Sequence, residues 1–212
     1  AQISLIQSTG GENDSVSRQL ARYIEETGQN RFTDMNVQLV FRRDRLLRGG
    51  DQIPLAQQGF PATRFTEPNE NYNHEAQNVR VVNGVQFGDL LQFIDFNYLA
   101  RVTRVVGSTL AALADSPGTP KGVEQHISPP PGFAGSNNVR LSWDANPEPN
   151  LVGYEVVWRD TTAPDWTNAL QVGNVTSVTL PNLNPDNFYF GVRAIDSQGD
   201  LSPVAFATPV TN

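Results

Sequence analysis

Gly49–Asn78 reads GGDQIPLAQQGFPATRFTEPNENYNHEAQN, and the fold of the first half of the chain turns on it. Gly49 and Gly50 permit a tight turn that brings Asp51 to a surface. After Gly59, the run Pro61–Phe65 clusters apolar and β-forming residues, with Phe60, Thr63 and Phe65 among them, and predicts a short buried strand. Thr66–Asn78 is polar and aromatic with no helical period. It therefore predicts a loop beyond the strand end, carrying Glu67, Glu70, Tyr72, His74 and Glu75. In α/β sheets, loops in that position commonly build the functional site.

Upstream, Ala1–Ser8 predicts a short apolar strand closed by Thr9, Gly10 and Gly11, and Asp14 or Ser15 can cap a helix. Val16, Leu20, Tyr23 and Ile24 form one stripe of that helix, which Gly28 ends. Asn36–Phe41 alternates Val37, Leu39 and Phe41 and predicts a second strand, so strand, helix and strand imply a parallel crossover unit. Arg42–Arg48 includes Asp44, Leu46 and Leu47 and reads as a solvated loop rather than an anion clamp. Downstream, Gln86–Ala114 predicts one long packing helix, continuous or broken, because Leu90, Phe93, Ile94, Leu99, Val102, Val105, Val106, Leu110 and Leu113 recur at helical spacing.

Ser116–Gly132 is rich in Pro and Gly and ends in a polyproline tract at Pro129–Pro131, which marks a semi-rigid linker and a domain boundary. His126 lies within it without an acidic or second His neighbour at ligand spacing, and no function is assigned to it. From Phe133 the pattern changes to alternation with period 2. Val139, Leu141 and Trp143 share a face, as do Tyr154, Val156 and Trp158, and Phe188, Phe190, Val192 and Ala194 follow the Leu183–Pro185–Asp186 turn. About seven such strands in roughly 80 residues predict an immunoglobulin-like β-sandwich. A Trp on the second strand, a Tyr on the third and the Leu-x-Pro turn resemble a fibronectin type III module. One departure is Phe188, which stands where such modules usually place a corner Tyr.

Fifteen Lys and Arg against 22 Asp and Glu leave a net charge of −7, which argues against nucleic acid as a partner, since that binding needs an excess of cationic side chains. The chain has no cysteine, so disulfides, thiolate nucleophiles and Cys-held metals are excluded, leaving His, Asp and Glu as strong metal ligands. No apolar run is long enough to span a bilayer as a helix. The first residue is Ala, directly before a strand-like segment, and a processed or excised piece with any export signal outside it is expected.

Residues 10 to 115, in the order SVSRQLARYIEE, then VQLVFRRDRLLRGGDQIPLAQQGFPATRFTEPNENYNHE, then a closing helix, resemble the C-terminal part of the zinc-dependent aminopeptidases of metallopeptidase family twenty-eight, the co-catalytic dizinc exopeptidases. In that family a Gly-Phe-Pro-Ala strand is followed by a Glu, a Tyr and a zinc-binding His. The resemblance makes His74 a metal ligand, aligns Asp51 with the Asp of the Gly-rich turn, and leaves Asp51, Glu67, Tyr72 and Asn78 as substrate-pocket or ligand-supporting candidates. Gln52 replaces a usual His, Leu55 a usual Phe, and Asn78 a usual Asp that would orient the imidazole. On the residues alone, His74 reads as a solvated loop His, Asp51 as a turn or cap residue, and Tyr72 as loop packing.

The implied fold is a partial zinc-peptidase-like α/β domain with a mixed sheet over residues 1–116, a linker at 117–131 and an all-β sandwich at 132–212. The implied chemistry is metal-assisted hydrolysis of peptide bonds at free N-termini by two zinc ions. The remaining ligands and the catalytic base belong to an N-terminal part outside this chain, so no catalytic residue is identified within it. The implied partners are a peptide or protein substrate and that missing part; the implied location is secreted, periplasmic or at the cell surface. The competing reading is a non-catalytic binding protein made from a degenerate peptidase-like domain and a β-sandwich.

Overall fold

The structure is a computed structural model that describes residues 15–41, 49–127 and 137–211. The expected strand at Ala1–Ser8, the Arg42–Arg48 loop and the polyproline tract lie outside the described residues. Helix α1 spans Val16–Gly28. Ser15 caps it, its hydroxyl accepting from the Arg18 N–H at 3.3 Å, which satisfies one of the helix-end donors that otherwise face water. Gly28 is the last helical residue, with Gln29 as cap at φ −93°. The glycine is thus not used for a left-handed turn. An added Cβ there would stand 2.7 Å from Val105 Cγ1, so Gly28 instead permits close contact between helices.

That contact is with helix α3, Phe96–Asp115. The Thr27 and Thr109 hydroxyls meet at 3.3 Å, and Val105 and Thr109 are the buried residues of α3. Asp95 caps α3, its carboxylate accepting from the N–H groups of Asn97 and Tyr98 at 2.9 and 3.0 Å.

The single helix expected over Gln86–Ala114 is corrected by these elements. Strands β1, Arg80–Val82, and β2, Val85–Phe87, pair as an antiparallel hairpin. The turn between them is Asn83–Gly84 with φ of 49° and 78°, the pair of positive values that a type I′ turn needs and that Asn-Gly supplies at least cost. Gly88, at φ 112°, ends the hairpin, and one 3-10 turn at Leu91–Phe93 precedes α3. Apolar residues at helical spacing lie on these separate pieces.

The two further strands expected in this half do not form ladders among the described residues. Along Asn36–Phe41 side chains take the backbone groups instead: Gln29 Oε1 accepts from the Val37 N–H at 3.1 Å, and Arg18 donates to the Phe41 carbonyl at 2.6 Å. Pro61–Phe65 opens with a residue that has no N–H to give, and the Ala62 N–H goes to Ser17 Oγ at 3.1 Å. Phe60 and Phe65 are exposed. The expected parallel crossover sheet is therefore not among the described elements.

Strands β3 (Glu124–Ile127), β4 (Val139–Ser142), β5 (Leu151–Asp160), β6 (Asn168–Gly173), β7 (Ser177–Leu180), β8 (Phe188–Asp196), β9 (Ala205–Phe206) and β10 (Thr208–Thr211) follow. They form two four-stranded sheets, in the orders β10-β3-β4-β7 and β6-β5-β8-β9. The last strand changes sheets at Ala207. Its N–H bonds the Phe190 carbonyl at 2.9 Å in one sheet, and the next N–H, of Thr208, bonds the Val123 carbonyl in the other.

Between the sheets lie Val139, Leu141, Trp143, Tyr154, Val156, Leu180, Phe190, Val192 and Ala194. They are the inward positions of the alternation, and each large side chain so buried contributes roughly 1.5–3 kcal/mol. The hydroxyl bond that Phe188 cannot make has a counterpart on another strand, where Tyr154 Oη accepts from the Asn146 N–H at 2.7 Å. Strand β3 falls inside the stretch read from the sequence as linker.

Candidate functional site

Asp51 stands at the start of a short helix, α2, Gln52–Gln57, which the sequence reading leaves as part of a turn. Pro54 fits its first turn because an N–H there has no helical acceptor. Asp51 has helical dihedrals and its side chain makes no capping bond, so its carboxylate is turned to the surface rather than spent on the helix. Arg64 links this turn to the loop beyond, donating to the Gly49 carbonyl at 3.3 Å and lying 3.7 Å from the Glu70 carboxylate, whose side chain is 5% exposed.

The loop that carries His74 is held by its own polar groups. Asn71 Oδ1 accepts from the Asn73 N–H at 3.1 Å. The His74 N–H reaches the Asn71 carbonyl at 2.9 Å, and the Gly88 N–H reaches the Asn73 carbonyl at 2.9 Å. Ala76, at φ 48°, directs its N–H to Asp89 Oδ1 at 3.0 Å. These bonds fasten the loop to the end of the β1–β2 hairpin.

The His74 ring is half-buried and lies flat on Phe93, with centroids 3.5 Å apart and planes within 2°. Aromatic stacking thus sets the plane of the imidazole and leaves its ring edge, where both nitrogens sit, directed away from the stack. Asn78 acts through its backbone carbonyl, which accepts from Arg80 at 3.0 Å; Arg80 also bonds Gln77 Oε1 and covers the Phe87 ring at 4.4 Å. Glu67 is exposed, while Tyr72 and Glu75 are half-buried.

Among the described residues, no three His, Cys, Asp or Glu side chains gather into a group that could hold a metal ion. A catalytic zinc site takes about three protein ligands, and a dizinc site more. The donors present do not fit such a site by themselves. Asp51, Glu67, Glu70 and Glu75 form no group of three with His74.

Phe93 was placed by the sequence in a packing helix, and nothing local in its neighbourhood marks it as the platform for His74. Asn83–Gly84, by contrast, is a legible hairpin signal, and with it the position of Gly88 and Asp89 beneath the loop follows.

His126, left without a role by the sequence, lies on β3 with Nε2 2.6 Å from Ser142 Oγ and 3.9 Å from a Glu124 carboxylate oxygen.

Comparison with known proteins defines the class of the C-terminal part first. Residues 129–208 match the family model of the fibronectin type III domain, in agreement with the sandwich topology. A Fn3-like protein from Clostridium thermocellum, as a solved structure, is 20% identical with a TM-score of 0.35, over 46% of this chain and 96% of its own.

Homologues that extend over nearly the whole chain carry the name probable zinc metalloprotease. One from Leptosphaeria maculans is 46% identical over 200 residues, 94% of this chain and 45% of its own length. One from Pyricularia oryzae is 46% identical over 207 residues, 95% of this chain and 40% of its own. One from Pyrenophora teres f. teres is 44% identical over 200 residues, 94% and 40%. The chain thus spans less than half the length of these curated relatives. Because each alignment covers nearly all of it, the helical part and the sandwich occur together in them.

Proposed function

We propose that this chain is the C-terminal portion of a secreted zinc-dependent aminopeptidase of the dizinc exopeptidase kind, with the fibronectin type III module as an accessory, and that His74 contributes one metal ligand to a site completed by polypeptide outside it. The observation that carries the reading is the placement of His74. The one imidazole of the helical part follows the Gly59-Phe60-Pro61-Ala62 run, with its ring plane fixed by Phe93 and its loop pinned by Asn71, Gly88 and Asp89.

A second feature supports it. Phe60, Phe65, Val79, Val81, Leu91 and Phe96 are all exposed, a concentration of apolar surface that the missing part of a catalytic domain would cover. The relatives' greater length supplies enough polypeptide to do so. His74 would be one ligand of such a site, and zinc held there would supply Lewis-acid chemistry for peptide hydrolysis. The contribution of the residues described here would be to present one imidazole beside the Asp51 turn and the Tyr72 loop.

The non-catalytic reading draws on Gln52 and Asn78, which stand where the resemblance expects His and Asp. An amide at residue 78 supports a metal-bound imidazole more weakly than a carboxylate does.

The isolated 212-residue chain tests the division of ligands. Calorimetric titration with zinc is expected to show no tight stoichiometric site, and leucyl anilides with added zinc are expected to remain uncleaved. Turnover by the isolated chain that His74→Ala abolishes would contradict the proposal.

A further inference from the structure

We propose that the outer face of the sheet β6-β5-β8-β9 is a docking surface for helix α1 of the same chain, so that the fibronectin type III module braces the peptidase-like part as one cooperative unit instead of hanging from it as a spacer. An isolated sandwich buries one face of each sheet and wets the other. Strand β5 departs from that rule. Its inward residues Tyr154 and Val156 are fully buried, and so are its outward ones: Val157 is 1% and Arg159 0% exposed, with Glu155 also buried. A charged row on the outside of a sheet is buried only when something lies over it.

Arg159 is covered by Trp166 of the sandwich's own 161–167 loop, and one stripe of α1 packs on that loop and on Arg193 of β8. Gln19, Arg22 and Glu26 are spaced as i, i+3 and i+7, the geometry of a single helix face, and each meets the sandwich. Trp166 Nε1–H donates to Gln19 Oε1 at 3.0 Å. Arg22 Nε–H donates to the Pro164 carbonyl at 2.6 Å. Arg193 on β8 donates to both Glu26 carboxylate oxygens at 2.8 and 2.9 Å.

The sandwich side is held ready for this contact. Arg193 is paired across the sheet with Glu155, at 2.7 Å from Nε. Arg159 donates to the Ala163 carbonyl and stacks on Trp166 at 5.2 Å and on Tyr189 at 4.6 Å. Gln19 and Arg22 are polar residues at 4% and 5% exposure, and their bonds to Trp166 and the Pro164 carbonyl offset the cost of taking them out of water.

The connection between the parts is tied down as well. Gly118 N–H bonds Glu148 at 2.8 Å, Asn146 bonds the Gly118 carbonyl at 2.7 Å, and Asp144 N–H bonds the Lys121 carbonyl at 2.9 Å.

All three tryptophans, Trp143, Trp158 and Trp166, belong to the sandwich, and the long helices lie outside it. Thermal unfolding of the full 212-residue chain, followed by ellipticity at 222 nm and by tryptophan fluorescence, therefore reads the two parts separately. The expected result is one coincident transition, and Glu26→Lys, a helix substitution, is expected to lower the fluorescence midpoint by several degrees. A fluorescence transition that Glu26→Lys leaves in place would overturn the proposal. Hydrogen exchange of the Trp166 indole N–H in the unaltered chain gives a second reading. Exchange slowed at least tenfold against an exposed indole is expected, and exchange at the exposed rate would also overturn it.

Discussion

Gly28 shows how a single missing methyl can organise a region. Its absent Cβ is the space in which Val105 of α3 sits, and α1 is thereby held between α3 on one side and the sandwich on the other. Gly28→Ala gains up to about 1 kcal/mol in helix propensity but forces a contact costing about 1–3 kcal/mol in overpacking. A net destabilisation of about 1 kcal/mol is expected in urea denaturation, and Val105→Ala in the same chain is expected to remove the extra cost of the alanine. If Gly28→Ala stabilises the chain, the helices do not meet as described.

At the same scale, His74 was legible as a residue type at a motif position, while its orientation was not. The ring plane depends on Phe93, which is distant in sequence and reaches the loop only because the hairpin and the 3-10 turn fold it back. No local pattern encodes that contact.

Among the elements, the sandwich strands were legible because alternation has a direct physical cause. Successive side chains of a strand face opposite ways, so Val139, Leu141 and Trp143, or Phe190, Val192 and Ala194, had to share a face. The first half was less legible. Apolar residues after Gln86 recur at helical spacing, yet that spacing cannot tell a helix from a hairpin followed by a helix. Asn83–Gly84 could have decided it.

Strand β3 hid in a Pro- and Gly-rich neighbourhood because it is short and its pairing to β4 and β10 is entirely non-local. The start of α3 is set by Asp95, whose carboxylate accepts two backbone N–H groups. Asp95→Ala is expected to cost about 1 kcal/mol, read as a lower 222 nm midpoint. An unchanged midpoint would show that packing alone positions the helix.

For the whole molecule, two surfaces of unlike character stand out. The seam between α1 and the sandwich is charged, aromatic and buried, and the exposed region from Phe60 to Leu99 is rich in apolar side chains with no cover among the described residues. In a complete small domain such side chains would form the core. Their exposure explains why periodicity placed Phe60, Phe65 and Leu99 in a buried sheet and helix. On the reading proposed above, polypeptide of the kind that makes the relatives more than twice the length of the aligned stretch would cover these side chains.

The same reasoning accounts for the sparse metal chemistry. One imidazole is presented, and among the described residues no three His, Cys, Asp or Glu side chains gather into a metal-holding group. The most direct test is the zinc content and leucyl-anilide turnover of the full-length protein carrying these residues, compared with its His74→Ala variant. The account predicts about two zinc ions in the unaltered protein, loss of at least one in the variant, and turnover reduced by about a thousandfold or more. Zinc content and turnover that His74→Ala leaves unchanged would contradict it.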